Sequence, residues 1–517
     1  MSLVDLITRR FTFGSRFNEP QPLTTSNLNN WLNAQLAAPT ADDVSVLQRL
    51  AAVQLPITVT ATDGTSTTTN RGLTDLFKPS QDLWAILAAD TSANKAESQR
   101  PANEVAAARW IRAAFSPWQV QEVMTDFWHN HFSVDAYQSM PIAATWPVYD
   151  RIIRANALGN FRAMLGATAK SAAMMNYLNL NTSVASHPNE NYAREVMELH
   201  TLGIGRYLGE TTPAALLGTG YSDQDVTNAA RVLTGWTLAD GNHKAADGTK
   251  PNTGDFLFVS ANHDTKAKTI FGVAYPAGGA QAEGEAFLDA LAQHPGTALT
   301  IATKLYVHFV QDTPPANDAL ITTLATVFRN NVTAPNQIAL VLQALVGSAE
   351  FAAAADKVKV PFEFLISLIR AAGAEINPRA ALTTMLTSLG APLFHWPTPN
   401  GMPDLATTWT GTTGMILRWA LADQLVASSG GYLLDGDNTL FAALAPLAIS
   451  IPYAANAVVA AVLGAGALPT SASALATYAA STEVLGAKGA LANATTLNTG
   501  LRRLVGAAAT VPEFQRR

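Results

Sequence analysis

The sequence predicts an all-α fold, a mainly helical, multi-helix globular body with one short β-hairpin near residues 255–273. Three observations support this prediction. Apolar residues recur at helical spacing along most of the chain, several such stretches follow a residue able to cap a helix, and strand-like alternation is confined to one segment. Only 14% of the 517 residues are charged, against roughly 25% in an average domain. Clusters of charge are therefore conspicuous as candidates for buried polar chemistry.

Helix starts can be placed at several points. Thr40, Ser80 and Ser116 each stand ahead of a stretch with an apolar stripe, and hydroxyl side chains at such positions accept hydrogen bonds from the first free backbone amides. Pro117 suits the first helical position, and Gln119 is placed to complete a capping box. These signals predict helices over much of the first 130 residues.

Strand character is limited to one short region. Phe256 and Phe258 stand at alternate positions, a polar stretch follows, and an apolar TIFG segment resumes, which predicts a surface hairpin within 255–273. Two stretches rich in Thr, Asn and Gly, 58–71 and 241–253, are predicted to be loops.

The chain divides by composition into two regions. Residues 1–427 are predicted to form the main helical body, and residues 428–517 an Ala-rich C-terminal helical appendage packed on that body. The most apolar run, 441–468, contains Pro446 and Pro452. We therefore expect buried amphipathic helices there rather than a membrane span.

Composition excludes several classes of function. The net charge of −6, with no run rich in Lys or Arg, predicts no nucleic-acid partner and no anionic membrane surface as partner. The chain has no cysteine, which excludes disulfides, thiolate metal sites, iron–sulfur clusters and a cysteine nucleophile. Residues 1–15 lack the apolar core of a signal peptide. Localisation is therefore not fixed by composition.

The FWHNHF stretch supplies the first candidate site residues. On a helix that starts near Pro117, His131 falls on the apolar face and His129 on the opposite, polar face beside Glu122 and Asp126. Two histidines two positions apart diverge by about 160° on a continuous helix and cannot share one metal ion. One alternative is a core His131 with a surface or supporting His129. The other is that at least one of them lines a site.

The NENYAREVMELH stretch supplies the rest. Glu195 and Glu198 share one helical face, with Arg194 one turn from Glu198. Close carboxylates repel each other, so one acquires a raised pKa suited to a general acid, or both bind a hard metal ion. His200 projects roughly 140° from Glu195 on an ideal helix and does not converge with it.

Three interpretations of this charged helix stay open. The first is a buried structural network, extended by Asp225 and Arg231, because buried charges must be paired. The second is a metal or acid–base site, and the third is an anion-binding site. Elsewhere, His263 with Asp264 suggests a turn, and His308 is placed at the edge of the core.

A family resemblance rests on motifs spread along nearly the whole chain. They are FWHNHFSV (127–134), NENYARE (189–195), MELHTLGIG (197–205), AARVLTGW (229–236), KLYVHFVQDTPP (304–315) and LGAPLFHWPTPNG (389–401). With them the chain resembles a bacterial family catalogued as domain of unknown function 1800. The resemblance implies kinship and fold without a settled activity. It also implies an exported or cell-envelope location and a protein partner of the unknown-function 1501 family.

These observations lead to one functional hypothesis and one alternative. The hypothesis is a cell-envelope hydrolase or metal-assisted enzyme, with a polar pocket formed by the FWHNHF and NENYAREVMELH helices. Glu195 or Glu198 would act as acid, base or ligand to a divalent metal, His129 or His131 as a second polar group, and Arg194 as an anion-binding group. The alternative is a non-catalytic binding or assembly protein in which the same charges form a structural network.

Overall fold

The computed structural model describes most of the chain. The described residues are 2–19, 22–212, 214–216, 218–316, 318–378, 380–427, 433–434, 440–444, 451–464, 467–481 and 494–517. The start of the predicted C-terminal appendage, at 428–432, and parts of the apolar run, at 445–450 and 465–466, lie outside these residues.

Helices account for most of the described structure. Their bounds are α1 Leu3–Arg10, α2 Leu28–Leu36, α3 Val44–Ala52, α4 Ser80–Ala89, α5 Ala96–Phe115, α6 Gln119–His131, α7 Met140–Asn156, α8 Phe161–Ala169, α9 Ala172–Tyr177, α10 Glu190–Glu195, α11 Asp223–Val232, α12 Gln281–Gln293, α13 Pro295–Phe309, α14 Ala319–Asn330, α15 Gln337–Val346, α16 Ala349–Ala352, α17 Pro361–Ala372, α18 Ala380–Ser388, α19 Ala406–Trp409, α20 Thr412–Val426, α21 Leu440–Leu444, α22 Ile451–Val462, α23 Pro469–Ala479 and α24 Ala494–Ala508. A π-helical turn, Val196–His200, continues α10.

The strands form small antiparallel pairs. Their bounds are β1 Leu55–Thr60, β2 Ser66–Arg71, β3 Trp236–Asp240, β4 Asn252–Phe258, β5 Lys268–Ile270, β6 Val273–Tyr275, β7 Glu375–Ile376 and β8 Leu433–Leu434. In the described part of the chain, β1 pairs with β2, β3 with β4, β5 with β6 and β7 with β8. The all-α class with small hairpins is thereby confirmed.

The predicted hairpin and one predicted loop need correction. Within 255–273, β4 pairs with the preceding strand β3, and β5 pairs with the following strand β6. The strands β4 and β5 therefore do not pair with each other. The stretch 58–71 is not a loop, because it holds most of the β1–β2 hairpin. There Thr58 and Thr68 form a cross-strand hydroxyl hydrogen bond of 2.8 Å. Polar β-branched residues such as threonine can form a strand without the alternation of apolar residues by which strands were predicted.

The predicted helix starts agree with the structure to within a few residues. The helices expected after Thr40, Ser80 and Ser116 are present as α3, α4 and α6. Asp43 rather than Thr40 caps α3, since its side chain accepts the amide of Ser45. Gln119 does not complete a capping box, because its amide group donates to the Ser116 carbonyl oxygen instead.

Within the described ranges, the buried apolar side chains form one core cluster. Helix α5 is buried along almost its whole length and packs against α7 and α17. Helix α24 packs against α20, and its buried residues Leu501, Leu504 and Val505 belong to the same core cluster as Phe364 of α17. The boundary at 427/428 stays a prediction.

None of the helices in the described ranges is both long enough and apolar enough to cross a lipid bilayer.

Candidate functional site

A cavity of about 250 Å³ lies where α6, α13 and the stretch 392–404 meet. Its walls are mostly apolar, with Phe127, Trp146, Phe394 and Trp396 among the lining side chains. Apolar walls with a few convergent polar groups are typical of small-molecule sites. The polar side chains that line this cavity are Asp126, His129, Asn130, His131, Ser133, Thr303, Lys304, His308, Glu363, Asn400 and Asp404.

Asn130, at the end of α6, connects that helix to the stretch after Pro392 by hydrogen bonds. The Asn130 side chain donates to the Met402 carbonyl oxygen (2.9 Å) and accepts the Met402 amide (2.6 Å). Gly401 has φ +76°, and a Cβ there would lie 2.2 Å from the Asn130 carbonyl oxygen. This wall therefore requires glycine for both its backbone conformation and its close approach.

His308 and Asp404 form the first of two Asp–His pairs in the wall. His308 Nδ1 donates to Asp404 Oδ2 over 2.7 Å. Arg517 donates to both oxygens of the same carboxylate at 3.0 Å. Burial alone would raise the pKa of Asp404, but the charge of Arg517 and the hydrogen bond from His308 outweigh it and hold that pKa well below its ordinary value. The carboxylate is therefore ionised and fixes the ring of His308, whose Nε2 is buried without a hydrogen-bond partner among the described residues.

His129 and Asp150 form the second pair. His129 Nε2 lies 3.0 Å from Asp150 Oδ1, and Arg112 donates to the other carboxylate oxygen at 3.1 Å. Burial opposes ionisation of Asp150, but the bond from His129 and the charge of Arg112 lower its pKa below the ordinary value. His129 Nδ1 is buried and has no acceptor or donor within reach in the part of the chain that the structure describes.

His129 lies on the polar face of its helix, but that face is not on the surface, since His129 is only 9% exposed. Its helix carries Glu122, but that carboxylate is itself buried and pairs with Arg109 and Arg154 from α5 and α7. The polar face is thus an internal charge network, and His129 and His131, although they leave the helix in different directions, both line the cavity.

His131 is held between Lys304 and the π-helical turn. Its Nε2 lies 3.0 Å from the His200 carbonyl oxygen and its Nδ1 lies 3.1 Å from Lys304 Nζ. Burial, followed by the charge that Lys304 carries when it is protonated, lowers the pKa of His131 well below its ordinary value, so the ring is neutral. A neutral ring with these partners donates from Nε2 and accepts at Nδ1.

The end of the NENYAREVMELH helix contributes backbone oxygens to this arrangement. The last carbonyl groups of any helix lack partners within it. Here the Leu199 oxygen accepts from Lys304 at 3.2 Å and the His200 oxygen accepts from His131. Leu199 is half-buried and His200 is buried, because the wider π-helical turn rotates these side chains away from ideal α positions.

The charged side chains of that helix lie elsewhere. Arg194 pairs with Asp223 at 3.0 Å and with Glu190 at 3.5 Å. Glu198 accepts a long hydrogen bond of 3.5 Å from Tyr221. Burial, then the neighbouring Glu198, raises the pKa of Glu195. None of Arg194, Glu195 and Glu198 lines the cavity, so the structure does not bring them together with His129 and His131.

Asp225 and Arg231, which were expected to extend the network of the charged helix, have other partners. Arg231 pairs with Asp264 at 2.8 Å, and Asp225 completes a capping box with Ser222 at the start of α11. His263 is buried, and its Nδ1 donates to the Thr234 carbonyl oxygen. These groups hold the loop 260–268 against α11.

A divalent metal receives no support from the geometry. In the described ranges, no three His, Asp or Glu side chains converge closely enough to hold a metal ion. The role of a metal therefore stays a prediction.

The sequence analysis assigned no site role to four residues of this arrangement. Lys304 and His308 stand one turn apart on α13 and share a face, a spacing that was interpreted as the edge of the core. Asp404 and Asp150 carry no local signal, since their partners are 96 and 21 positions away.

Comparison with known proteins identifies the family of the chain but no characterised relative. No curated protein and no solved structure matches the chain. The profile of the family described as "Protein of unknown function (DUF1800)" matches residues 6–516. That match spans nearly the whole chain, so the chain belongs to this family.

Proposed function

We propose that the protein is an enzyme that uses general acid–base catalysis on a small apolar substrate bound in this cavity. The observation that carries the proposal is the pair of histidines, His129 and His308, each held by an ionised aspartate and each with its other ring nitrogen unpaired. A buried lone pair without a partner costs roughly 1–3 kcal/mol. Two of them in one cavity wall are expected where a ligand supplies the missing hydrogen bonds.

His308 is the stronger candidate for the proton-transfer group. Asp404 fixes its ring with Nδ1 protonated, which leaves the basic lone pair at Nε2. The same arrangement of carboxylate, imidazole and free nitrogen activates hydroxyl groups and water in hydrolases. Hydrolysis of an ester or amide is therefore the first reaction to test.

The experiment compares turnover of a panel of p-nitrophenyl esters and p-nitroanilides by wild type, His308→Gln and Asp404→Asn. Removal of a general base typically lowers the rate about 10²- to 10⁴-fold. We expect losses in that range for both variants. His187→Gln, at an exposed position, is the matched control and should retain full activity. Unchanged turnover in both test variants, or no turnover by the folded wild type, would count against hydrolysis at this site.

The catalytic roles assigned to Glu195, Glu198 and Arg194 from sequence remain part of the proposal to be tested. Their support is the raised pKa of Glu195 in a half-buried setting. Because they lie outside the cavity, loss of turnover in Glu195→Gln without loss of stability would require a second site.

The non-catalytic alternative also has a specific observation in its favour. Glu122, Arg109, Arg154, Arg112 and Asp150 form a buried and extensively paired network behind the cavity. Such networks can hold helices together without taking part in catalysis. A binding or assembly role, including a partner of the unknown-function 1501 family, would be supported by co-purification that survives His308→Gln.

A further inference from the structure

Lys304 is an unusual lysine because its partners are neutral. Its ammonium nitrogen lies within hydrogen-bond distance of His131 Nδ1 (3.1 Å) and the Leu199 carbonyl oxygen (3.2 Å). Among the residues that the structure describes, no carboxylate lies within ion-pair distance of it. Buried lysines are ordinarily paired with a carboxylate. Lys304 therefore sits in surroundings that do little to stabilise a positive charge.

The hydrogen-bond count fits the neutral amine. An amine has two N–H bonds and one lone pair, and the site offers two acceptors, since His131 donates through its other nitrogen to His200. A protonated lysine would carry a third N–H group without a protein acceptor in the described structure. Burial lowers the pKa of Lys304 to about 8, so roughly a tenth of the amine is neutral at pH 7.

The lysine is also placed for chemistry. It is half-buried, lines the cavity, and stands one helical turn before His308 on the same face of α13. A desolvated lysine amine in an apolar pocket is the usual form of a lysine nucleophile. The aromatic walls around Phe394 and Trp396 favour a ligand with an apolar body.

We propose that Lys304 attaches covalently to a small apolar aldehyde or ketone by forming an imine. This inference rests on the proposed function and narrows it. The substrate in the cavity of the acid–base histidines would be a carbonyl compound. The group that attacks its carbonyl carbon would be Lys304 Nζ and not a water molecule.

The step is balanced without a further reactant. The Nζ lone pair forms a bond to the carbonyl carbon, and the carbonyl electron pair moves to oxygen, which takes up one proton that Nζ releases. Nζ then loses its second proton as the C=N bond forms, and the oxygen leaves as water carrying both protons. His308 Nε2 transfers these protons between nitrogen and oxygen.

The test is reductive trapping with benzaldehyde and sodium cyanoborohydride at pH 7, followed by peptide mapping. Reduction converts the imine to a stable secondary amine on the lysine. An ordinary lysine has a pKa near 10.4, so a pKa of about 8 makes the neutral fraction at pH 7 roughly 200 times larger. We expect Lys304 to be labelled at least about tenfold faster than the exposed Lys244.

Three variants make the result specific. Lys304→Arg keeps N–H donors in place but cannot form the imine, so labelling at this position should disappear in protein that circular dichroism shows to be folded. Lys244→Met should leave the labelling of Lys304 unchanged. His308→Gln should slow trapping, because the proton relay is lost, without abolishing it.

Two failures can be told apart. Labelling of Lys304 no faster than Lys244 in folded wild type would overturn the inference, and His308-dependent turnover in the same protein would leave the proposed function standing. Conversely, selective trapping at Lys304 together with turnover unaffected by His308→Gln would support the inference and overturn the acid–base role of His308.

Discussion

His308 Nδ1 and Asp404 Oδ2 lie 2.7 Å apart, and Arg517 donates to both oxygens of the same carboxylate. Arg517 also pairs with the buried Glu363 at the start of α17. One guanidinium therefore neutralises two carboxylates, one of which orients a cavity histidine. Removing it leaves both acidic groups without their main counter-charge.

We predict that Arg517→Ala lowers the free energy of unfolding by about 3–5 kcal/mol, because it breaks buried ion pairs from one side. Arg516→Ala is the matched control. Arg516 pairs with Asp356 at 3.4 Å, and both side chains are about half exposed, so a loss of only about 0–1 kcal/mol is expected. Urea unfolding monitored by circular dichroism measures both. Equal losses in the two variants would contradict the buried role of Arg517.

We predict that Gly401→Ala displaces the wall formed by residues 400–404. The new Cβ would clash with the Asn130 carbonyl oxygen, and φ +76° is unfavourable for alanine. A loss of at least about 1 kcal/mol is expected, together with weaker labelling of Lys304 by benzaldehyde. Gly411→Ala is the control, since nothing lies near a Cβ there. Normal labelling in Gly401→Ala would show that the wall tolerates the change.

A third prediction concerns pH and the carboxylate of Glu104. Burial and the nearby Asp75 raise the pKa of Glu104 to about 7, although Arg100 acts in the opposite direction. The folded state therefore binds this proton more tightly than the unfolded state does. Stability from this group is complete below about pH 4.5 and is lost as the pH rises towards 7.

We expect Glu104→Gln to remove that decline, which should amount to roughly 1–3 kcal/mol in wild type between pH 4.5 and 7. Urea midpoints measured across this range provide the comparison. Parallel profiles for variant and wild type would refute the raised pKa.

The charged helix yields a fourth prediction. The ionised Glu195 is disfavoured by burial and by Glu198, so Glu195→Gln should raise the free energy of unfolding at pH 7 by up to about 0.5 kcal/mol. Glu190→Gln should lower it, because Glu190 accepts from Thr227 and pairs with Arg194. Thermal unfolding of both variants measures the difference in sign. A marked loss of stability in Glu195→Gln would instead support the network interpretation of that residue.

Much of the helical architecture could be predicted because its signals are local. The helices α3, α4 and α6 were expected from apolar stripes whose members stand three or four positions apart. The β1–β2 hairpin escaped prediction because β2 is formed by exposed threonines, serine and asparagine. Its pairing energy comes from cross-strand contacts that no single stretch displays.

The site was predictable only in part for a related reason. The two histidines of FWHNHF were identified as candidates, but the surroundings of His129 depend on arginines from α5 and α7 that hold its neighbouring carboxylates. The NENYAREVMELH helix was expected to supply carboxylates to the pocket and instead supplies two carbonyl oxygens. An ideal helical wheel could not anticipate this, since the π-helical turn changes the angle per residue within the motif itself.

The cavity wall has a consequence for how the protein reaches its native state. Asn130 bonds to Met402 across 272 positions of sequence, and Lys304 bonds to His131 across 173. Closing loops of that length carries a large entropic cost, and structures dominated by distant pairings fold slowly. We therefore expect the pocket to mature after the local helices form, so that the chemical reactivity of Lys304 during refolding would report completion of the fold more faithfully than helix content does.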